Sequence, residues 1–125
     1  MIVTLTPNPG IDRTIAIPAL VRGTVMRATD SREDPGGKGL NVSRALTLNG
    51  TATKAVLPIG GVYGGVMLDL LREQGIDVVP VAIAGSIRVN VAVVEPDGTT
   101  SKLNEQGPCF TPAEVEALRS ATLAA

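Results

Sequence analysis

The sequence contains no histidine, no tryptophan and a single cysteine, Cys109, and it has one tyrosine and one phenylalanine. The absence of histidine excludes His-based catalytic triads and imidazole metal ligands from this chain, and we expect no metal site in it. One cysteine cannot form an internal disulfide, which favours a reducing compartment, and we expect a cytoplasmic protein. Chemistry in this chain must therefore use carboxylates, lysine, arginine and backbone amides.

Charge of one sign and long apolar runs are missing as well. Lysine and arginine number 11 against 12 aspartates and glutamates, so the formal net charge is -1. This balance gives no reason to expect nucleic acid or an acidic membrane surface, and too few aromatic side chains are present for a base-stacking surface. No apolar run reaches the roughly 20 residues that span a bilayer, and no secretory signal pattern opens the chain. We therefore expect neither nucleic acid nor membrane as a partner.

Glycine and proline are abundant and divide the chain into short segments. Apolar runs predict buried strands at residues 1–5, 52–59 and 76–81, and helical spacing predicts helices at 40–48, 66–74 and from 111 onward. Strands and helices that alternate in this way form parallel sheets with helices packed on their faces. The sequence therefore predicts an α/β fold with a parallel sheet core and helices on both faces.

Further extended segments interrupt this pattern. They are predicted at residues 11–17, 25–31, 87–94 and 99–104, the last two joined by the turn Pro96-Asp97-Gly98. Strands with one polar face that stand outside a parallel sheet can pair with one another. We predict that they form a small separate sheet acting as a lid, with lid segments at about residues 11–33 and 86–105.

The most distinctive stretch is Pro35-Gly36-Gly37-Lys38-Gly39, which the sequence predicts to be a turn that leads directly into a helix. Glycines let a ligand approach the backbone, and a helix N-terminus presents unpaired N–H groups and a positive dipole end. It is not a Walker loop, because Gly39 and not a hydroxyl residue follows the lysine, nor a dinucleotide fingerprint, because position 42 is a valine. The pattern favours an anion or polyol pocket; the alternative is a tight connection with a solvated lysine.

Polar residues on the predicted lid are further candidates. The carboxylate of Asp12 could accept hydrogen bonds from a vicinal diol, or it is only a strand-edge charge. Arg88 and Asn90, two residues apart, share one strand face, and Arg88 offers a bidentate fork to a phosphate; the alternative is the solvated side of a sheet. Arg27 on its own is more often simply solvated.

Taken together and in order, these motifs resemble the carbohydrate kinases of the ribokinase-like (PfkB) family. The resemblance rests on Thr4-Leu5-Thr6-Pro7-Asn8-Pro9-Gly10-Ile11-Asp12, Gly23, Arg27, Pro35 with the residues up to Arg44, Gly60-Gly61, Arg88-Val89-Asn90, and Leu103-Asn104-Glu105-Gln106-Gly107-Pro108. The pattern is similar to the phosphosugar branch, which comprises 1-phosphofructokinases and tagatose-6-phosphate kinases, and most similar to 1-phosphofructokinases. The family fold is an α/β core with a β-sheet lid, which agrees with the elements predicted above.

The resemblance implies roles for particular residues. Asp12 matches the family aspartate that binds sugar hydroxyls, and the first signature motif, which lines the sugar pocket, is matched by Gly36, Gly37, Lys38 and Asn41. Arg27, Arg88 and Asn90 match lid positions that hold the phosphosugar, and Asn8 and Glu105 match pocket-side positions. Gly10, Ser43 and Lys102 depart from the family pattern, and we expect them to bear mainly on substrate choice. An exposed lid edge also makes a homodimer through the lid possible.

A second family signature, Gly-Ala-Gly-Asp, supplies the catalytic base and lies in the C-terminal part of these kinases together with the ATP-binding segment. No Gly-x-Gly-Asp occurs in this sequence. We therefore expect the chain to be the N-terminal portion of a ribokinase-like domain, incomplete at its C-terminal end and inactive alone. ATP and Mg²⁺ would serve the complete enzyme, and none would be held by this chain.

The function that the resemblance implies is binding of a phosphorylated ketohexose, fructose 1-phosphate, in a kinase that yields fructose 1,6-bisphosphate. Tagatose 6-phosphate stays open as the substrate, because it also offers a phosphate and a similar polyol. Two further alternatives are a non-catalytic phosphosugar-binding module and a truncated gene product.

Overall fold

The computed structural model describes all 125 residues. Its elements are β1 (Ile2–Leu5), β2 (Gly10–Ala16), β3 (Asp30–Gly36), α1 (Lys38–Leu48), β4 (Thr53–Ile59), α2 (Val62–Glu73), β5 (Val78–Ala82), β6 (Arg88–Val94), β7 (Thr100–Asn104) and α3 (Pro112–Ala124). The seven strands form two sheets, a parallel sheet in the core and a mixed sheet that we call the lid. None of the three helices has the length and hydropathy that a membrane span requires.

The core sheet has the strand order β1-β4-β5, and both of its pairings are parallel. Its central strand is fully buried at Ala55, Val56 and Leu57. Successive side chains of a strand point to opposite faces, so Ala55 and Leu57 pack in one cluster with Leu40 of α1 and with α2, while Val56 packs with Leu118 of α3. Helices therefore cover both faces of a parallel sheet, which confirms the predicted fold class.

The lid has the strand order β3-β2-β6-β7. β2 is antiparallel to β3 and parallel to β6, and β6 and β7 form the predicted hairpin. Ile11 of the lid is fully buried and belongs to the same core cluster as Leu40 and Leu57, and Val89 packs against that cluster. The base of the lid is therefore fixed to the core, while its far end extends away from it.

The predicted strand at residues 25–31 is wrong in position. The observed strand begins at Asp30 and runs through Pro35 and Gly36, where it pairs residue by residue with the whole of β2. Its sequence, Asp-Ser-Arg-Glu-Asp-Pro-Gly, has low intrinsic strand propensity, so tertiary pairing and not local preference makes it a strand. Pro35 and Gly36 are consequently part of the lid, and Gly37 alone connects the lid to α1.

The helix predicted at residues 66–74 begins earlier than predicted. α2 begins at Val62, so Gly64 and Gly65 lie inside the helix, and only Gly60 and Gly61 form the turn. A Cβ on Gly60 would collide with the carbonyl oxygens of Ile83 and Gly85. Close packing of backbone on backbone therefore explains the glycine at this turn.

Candidate functional site

A cleft of about 700 Å³ lies between one face of the lid and the helices α1 and α2. The register places Asp12 beside Asp34 on β3 and beside Asn90 on β6, and it places Asn90 beside Asn104 on β7. Side chains at paired positions of neighbouring strands point to the same side of a sheet, so this face of the lid is polar. The polar residues that line the cleft include Asp12, Asp34, Asn41, Arg44, Asn90 and Lys102.

Asp12 and Asn90 form the centre of this polar face. The amide Nδ2 of Asn90 donates a hydrogen bond of 3.3 Å to Oδ1 of Asp12. A Cβ on Gly36 would lie 2.7 Å from Cγ of Asp12, so glycine at this position leaves the space that the carboxylate occupies. Oδ1 of Asn90 is buried and has no hydrogen-bond partner. The pair thus presents acceptor oxygens for which a ligand hydroxyl would be a suitable donor.

The glycines at the start of α1 are explained mainly by packing. Gly37 has a φ of 142°, a conformation that side-chain-bearing residues rarely adopt, and a Cβ there would collide with the Thr6 methyl group. A Cβ on Gly39 would lie 2.8 Å from the carbonyl oxygen of Leu5. Lys38 begins the helix and is exposed, outside the cleft. Of the predicted signature residues, Gly36 and Asn41 therefore shape the cleft most directly.

Asn41 lines the cleft from the first turns of α1, and its side chain is held by Arg44. Nη1 of Arg44 donates to Oδ1 of Asn41 at 3.0 Å, and Nη2 donates to the carbonyl oxygen of Pro35 at 2.6 Å. Nε of Arg44 donates to Oε1 of Gln74, the C-terminal cap of α2, at 2.9 Å. The guanidinium thus connects the lid strand β3 with both helices beside the cleft.

Arg88, Asn8 and Glu105 lie together at the base of the lid, outside the cleft. The guanidinium of Arg88 donates to the carbonyl oxygens of Glu105 at 3.1 Å and Asn8 at 3.3 Å, and its buried Nε has no partner. The carboxylate of Glu105 accepts a 2.7 Å bond from the Val89 N–H, and Asn8 donates to the carbonyl of Gln106 at 2.9 Å. These three residues fix the β1–β2 connection to the open end of the lid hairpin, where β6 begins and β7 ends.

Arg27 is not brought to any of these groups. It lies exposed in the connection between β2 and β3. The structure therefore divides the predicted residues into a cleft set (Asp12, Gly36, Asn41, Asn90), a set at the lid base (Asn8, Arg88, Glu105), and residues outside both (Arg27, Gly37, Lys38).

Several residues of the cleft were not singled out from the sequence. Asp34 and Arg32 project into it from β3, where they form an ion pair of 3.2 Å, and Gln74 and Arg44 face them from the helices. The signal for Arg44 was available, because it lies three positions after Asn41 and hence on the same helix face. Asp34 and Arg32 could be found only by recognising residues 30–36 as a strand.

The three residues that depart from the family pattern, Gly10, Ser43 and Lys102, differ in their surroundings. Lys102 lines the cleft, where a change of residue can alter ligand choice. Ser43 is fully buried, and its hydroxyl is hydrogen-bonded to those of Thr4 at 2.7 Å and Thr53 at 3.0 Å. A Cβ on Gly10 would lie 2.9 Å from Cγ of Arg88. Ser43 and Gly10 therefore have structural surroundings away from the cleft.

The opposite face of the lid carries a different chemistry. Arg13 and Glu33 pair across β2 and β3, and the hydrogen bond and charge of Glu33 raise the pKa of Arg13 above its ordinary value. Leu103 on β7 is 66% exposed and alternates with Lys102, so it points away from the cleft. This outer face combines a fixed ion pair with exposed apolar surface.

Asp12 and Asp34 are the two carboxylates that line the cleft. No group of three or more cysteine, aspartate and glutamate side chains is arranged to hold a metal ion. The cleft residues Asp12 and Asp34 lie beside amides and cations that suit an organic ligand with hydroxyl groups. The structure shows no side-chain cluster built for a metal ion, and we derive no step through Mg²⁺ or ATP.

Comparison with known proteins places this geometry in a family. Residues 8–123 match the pattern of the pfkB family of carbohydrate kinases. The chain belongs to that family. The match spans the lid, the cleft and all three helices of this pfkB-family chain, and it confirms the resemblance and the ribokinase-like fold predicted from the sequence.

Individual relatives agree with this assignment. The chain is 33% identical over 117 residues to the 1-phosphofructokinase of Bacillus subtilis, covering 94% of this chain and 38% of the relative. It is 36% identical over 118 residues to the ATP-dependent 6-phosphofructokinase isozyme 2 of Mycobacterium tuberculosis, covering 92% and 34%. The chain therefore spans roughly a third of the length of these curated relatives.

A solved structure shows the same fold. Phosphofructokinase-2 of Escherichia coli in complex with fructose-6-phosphate superposes with a TM-score of 0.93 at 28% identity, and the match covers 99% of this chain and 41% of that one. Nearly every residue of this pfkB-family chain thus has a structural counterpart there.

Proposed function

We propose that this chain forms the acceptor-sugar side of an ATP-dependent phosphofructokinase-type kinase. In this proposal its cleft binds a ketohexose monophosphate, and ATP with Mg²⁺, bound by other parts of the complete enzyme, would supply the phosphoryl group. The observation that carries the proposal is the Asp12–Asn90 pair seated against Gly36 in a polar cleft. Membership in the pfkB family supports the reaction class.

The cleft chemistry suits a sugar hydroxyl group. A hydroxyl both donates and accepts, so it can donate its one hydrogen to the carboxylate of Asp12 or to the unpaired Oδ1 of Asn90 while it receives a hydrogen bond from the amide of Asn41. Phosphoryl transfer depends on positioning the reacting oxygen and on stabilising charge. The proposed contribution of this chain is therefore to orient the acceptor hydroxyls.

Arg27, Lys38 and Arg88 remain proposed ligands of the phosphate already on the sugar. Their side chains lie outside the cleft, and the guanidinium of Arg88 is hydrogen-bonded to two carbonyl oxygens. A phosphate bound by them requires these side chains to turn toward the ligand, and a moving lid provides a means for this. Lys102 and Arg32 already line the cleft and would add positive charge near the phosphate.

Fructose 1-phosphate is the proposed substrate, and fructose 1,6-bisphosphate the proposed product. The name of the Bacillus subtilis relative supports fructose 1-phosphate, whereas that of the Mycobacterium tuberculosis relative supports a 6-phosphate. We further propose that the protein is cytoplasmic, because its only cysteine, Cys109, is unpaired. A homodimer through the lid completes the proposal.

Calorimetric titration of the purified chain with fructose 1-phosphate tests the proposal. We expect saturable binding that is weaker for fructose 6-phosphate and weaker still for fructose or inorganic phosphate alone. Absence of binding to any phosphosugar would overturn the acceptor-site assignment. With ATP and Mg²⁺ added we expect no product, since the second family signature, which supplies the catalytic base, has no match in this sequence; ATP-dependent turnover by these 125 residues would contradict that expectation.

A further inference from the structure

Arg44 is the one cation of the cleft whose guanidinium is held by three separate elements. Its Nη2, Nη1 and Nε atoms donate to Pro35 of β3, to Asn41 of α1 and to Gln74 at the end of α2, at 2.6, 3.0 and 2.9 Å. The bond to Pro35 is partly buried, whereas the bonds to Asn41 and Gln74 lie at the exposed surface. Three directed bonds to a planar group leave it almost no rotational freedom.

This arrangement fixes the polarity of Asn41. A guanidinium carries only donors, so the Asn41 atom that faces it must be the carbonyl oxygen. The amide Nδ2 of Asn41 is therefore left to face the cleft that this residue lines. Asn90 is fixed in the opposite sense, because an ionised Asp12 only accepts; its Nδ2 is bonded and its Oδ1 is free.

We propose that Arg44 is a positioning residue that makes Asn41 an obligatory hydrogen-bond donor in the cleft. The cleft then offers a ligand one directed donor, at Asn41, opposite the acceptors of Asp12 and Asn90. The inference rests on the proposed function and deepens it, because it states which way a hydroxyl must be oriented between these groups. A ligand oxygen that cannot accept a hydrogen bond at this position is excluded.

The test compares Asn41→Asp with the wild type by calorimetric titration with fructose 1-phosphate. Aspartate keeps a partner for Arg44, so the unfolding temperature is expected to be unchanged or higher, but it removes the donor. We expect the affinity to fall by roughly tenfold or more, the value of one directed hydrogen bond to a ligand. Repeating the titration at high salt separates this loss from charge repulsion, because salt screens repulsion but does not restore a donor.

Variants of Arg44 test the positioning step itself. Arg44→Met is expected to weaken binding by roughly tenfold, and Arg44→Lys, which keeps one charged donor, by a smaller factor. The matched control is Arg72→Met on α2, where an exposed arginine contacts only Asp69; it should bind as the wild type does. Wild-type affinity in Asn41→Asp at high salt, or in Arg44→Met, would overturn the inference.

A measurement without ligand keeps the two proposals separate. In ¹⁵N spectra of the chain, Arg44→Met should shift the side-chain amide signals of Asn41, and Arg72→Met should leave them in place. If the wild type binds no phosphosugar, the proposed function fails and the spectra alone decide the orientation of Asn41. Signals of Asn41 that are the same in the wild type and in Arg44→Met would refute the positioning role.

Discussion

At the scale of the residue, Gly36 shapes the cleft by what it lacks. A side chain there would stand in the space of the Asp12 carboxylate, 2.7 Å from its Cγ and 2.9 Å from its Oδ1. Because the conflict is with the end of a side chain, the protein can relieve it by turning Asp12 aside. That movement would break the hydrogen bond from Asn90 and change the acceptor geometry.

We therefore expect Gly36→Ala to weaken fructose 1-phosphate binding by roughly tenfold while the free energy of unfolding changes by no more than about 1 kcal/mol. Gly65→Ala is the matched control, since nothing lies within 4 Å of the new Cβ and the position is inside α2. The control should bind normally and gain about 0.5–1 kcal/mol of stability. Calorimetry and chemical denaturation measure the two effects, and equal affinities in the two variants would speak against the role of Gly36.

Single residues also show how much of the candidate site could be predicted from the sequence. Residue type and spacing pointed to Asp12 and Asn90, and the family resemblance pointed to Asn41; the structure brings all three to one cleft. Ser43 was expected to influence substrate choice, but it lies in a buried hydroxyl chain between Thr4 and Thr53. Helical spacing cannot say which side of α1 faces the cleft, since that depends on a lid strand that local propensity did not reveal.

At the scale of the element, β3 and α3 illustrate opposite cases. The strand Asp30–Gly36 forms because β2 pairs along its whole length, and its charged sequence gave little local signal. The helix Pro112–Ala124 begins where the sequence predicts, because Thr111 and Glu114 form a complete capping box. Local chemistry therefore made α3 predictable, whereas β3, which depends on pairing with β2, was misplaced from the sequence.

The capping box gives a pH prediction. Hydrogen bonds from the backbone N–H groups of Thr111 and Ala84 lower the pKa of Glu114 below its ordinary value of 4.5. Because the pKa of Glu114 is lower in the folded state, its carboxylate stabilises the folded protein at pH values above the ordinary pKa. That stabilisation is lost as the pH falls through the folded-state pKa. In Glu114→Gln the unfolding temperature should therefore fall less on acidification than it does in the wild type.

Unfolding temperatures measured from about pH 7 to pH 3 check this expectation. The variant should be less stable than the wild type at neutral pH, and the difference should shrink in acid. Glu73→Gln at the exposed end of α2 serves as the control and should follow the wild-type profile. A constant difference between Glu114→Gln and the wild type at every pH would disprove the capping account.

At the scale of the whole molecule, the two edge strands of the lid have unpaired backbone groups that a second chain could cover. Its edge strands β3 and β7 each lack one neighbour, and Leu103 and Val25 of the lid region are 66% and 88% exposed. Unpaired strand edges beside exposed apolar side chains favour association between copies. The proposed homodimer would use this outer face and leave the cleft open.

Leu103→Lys is expected to shift the chain toward monomer in sedimentation velocity experiments, because it places a charge on the outer face of the lid. Leu48→Lys changes a comparably exposed leucine at the end of α1, away from the lid, and should leave association unchanged. The lid dimer would be ruled out if both variants sedimented like the wild type at every concentration.

The central claim is that the cleft between lid and helices is the phosphosugar site, and backbone ¹⁵N shift mapping of the chain with fructose 1-phosphate tests it most directly. The account predicts saturable shifts at Asp12, Gly36, Asn41 and Asn90, which border one cleft. It predicts none in the apolar groove between β1 and α3 that includes Phe110 and Leu118. Shifts confined to that groove, or no shifts at saturating sugar, would contradict it.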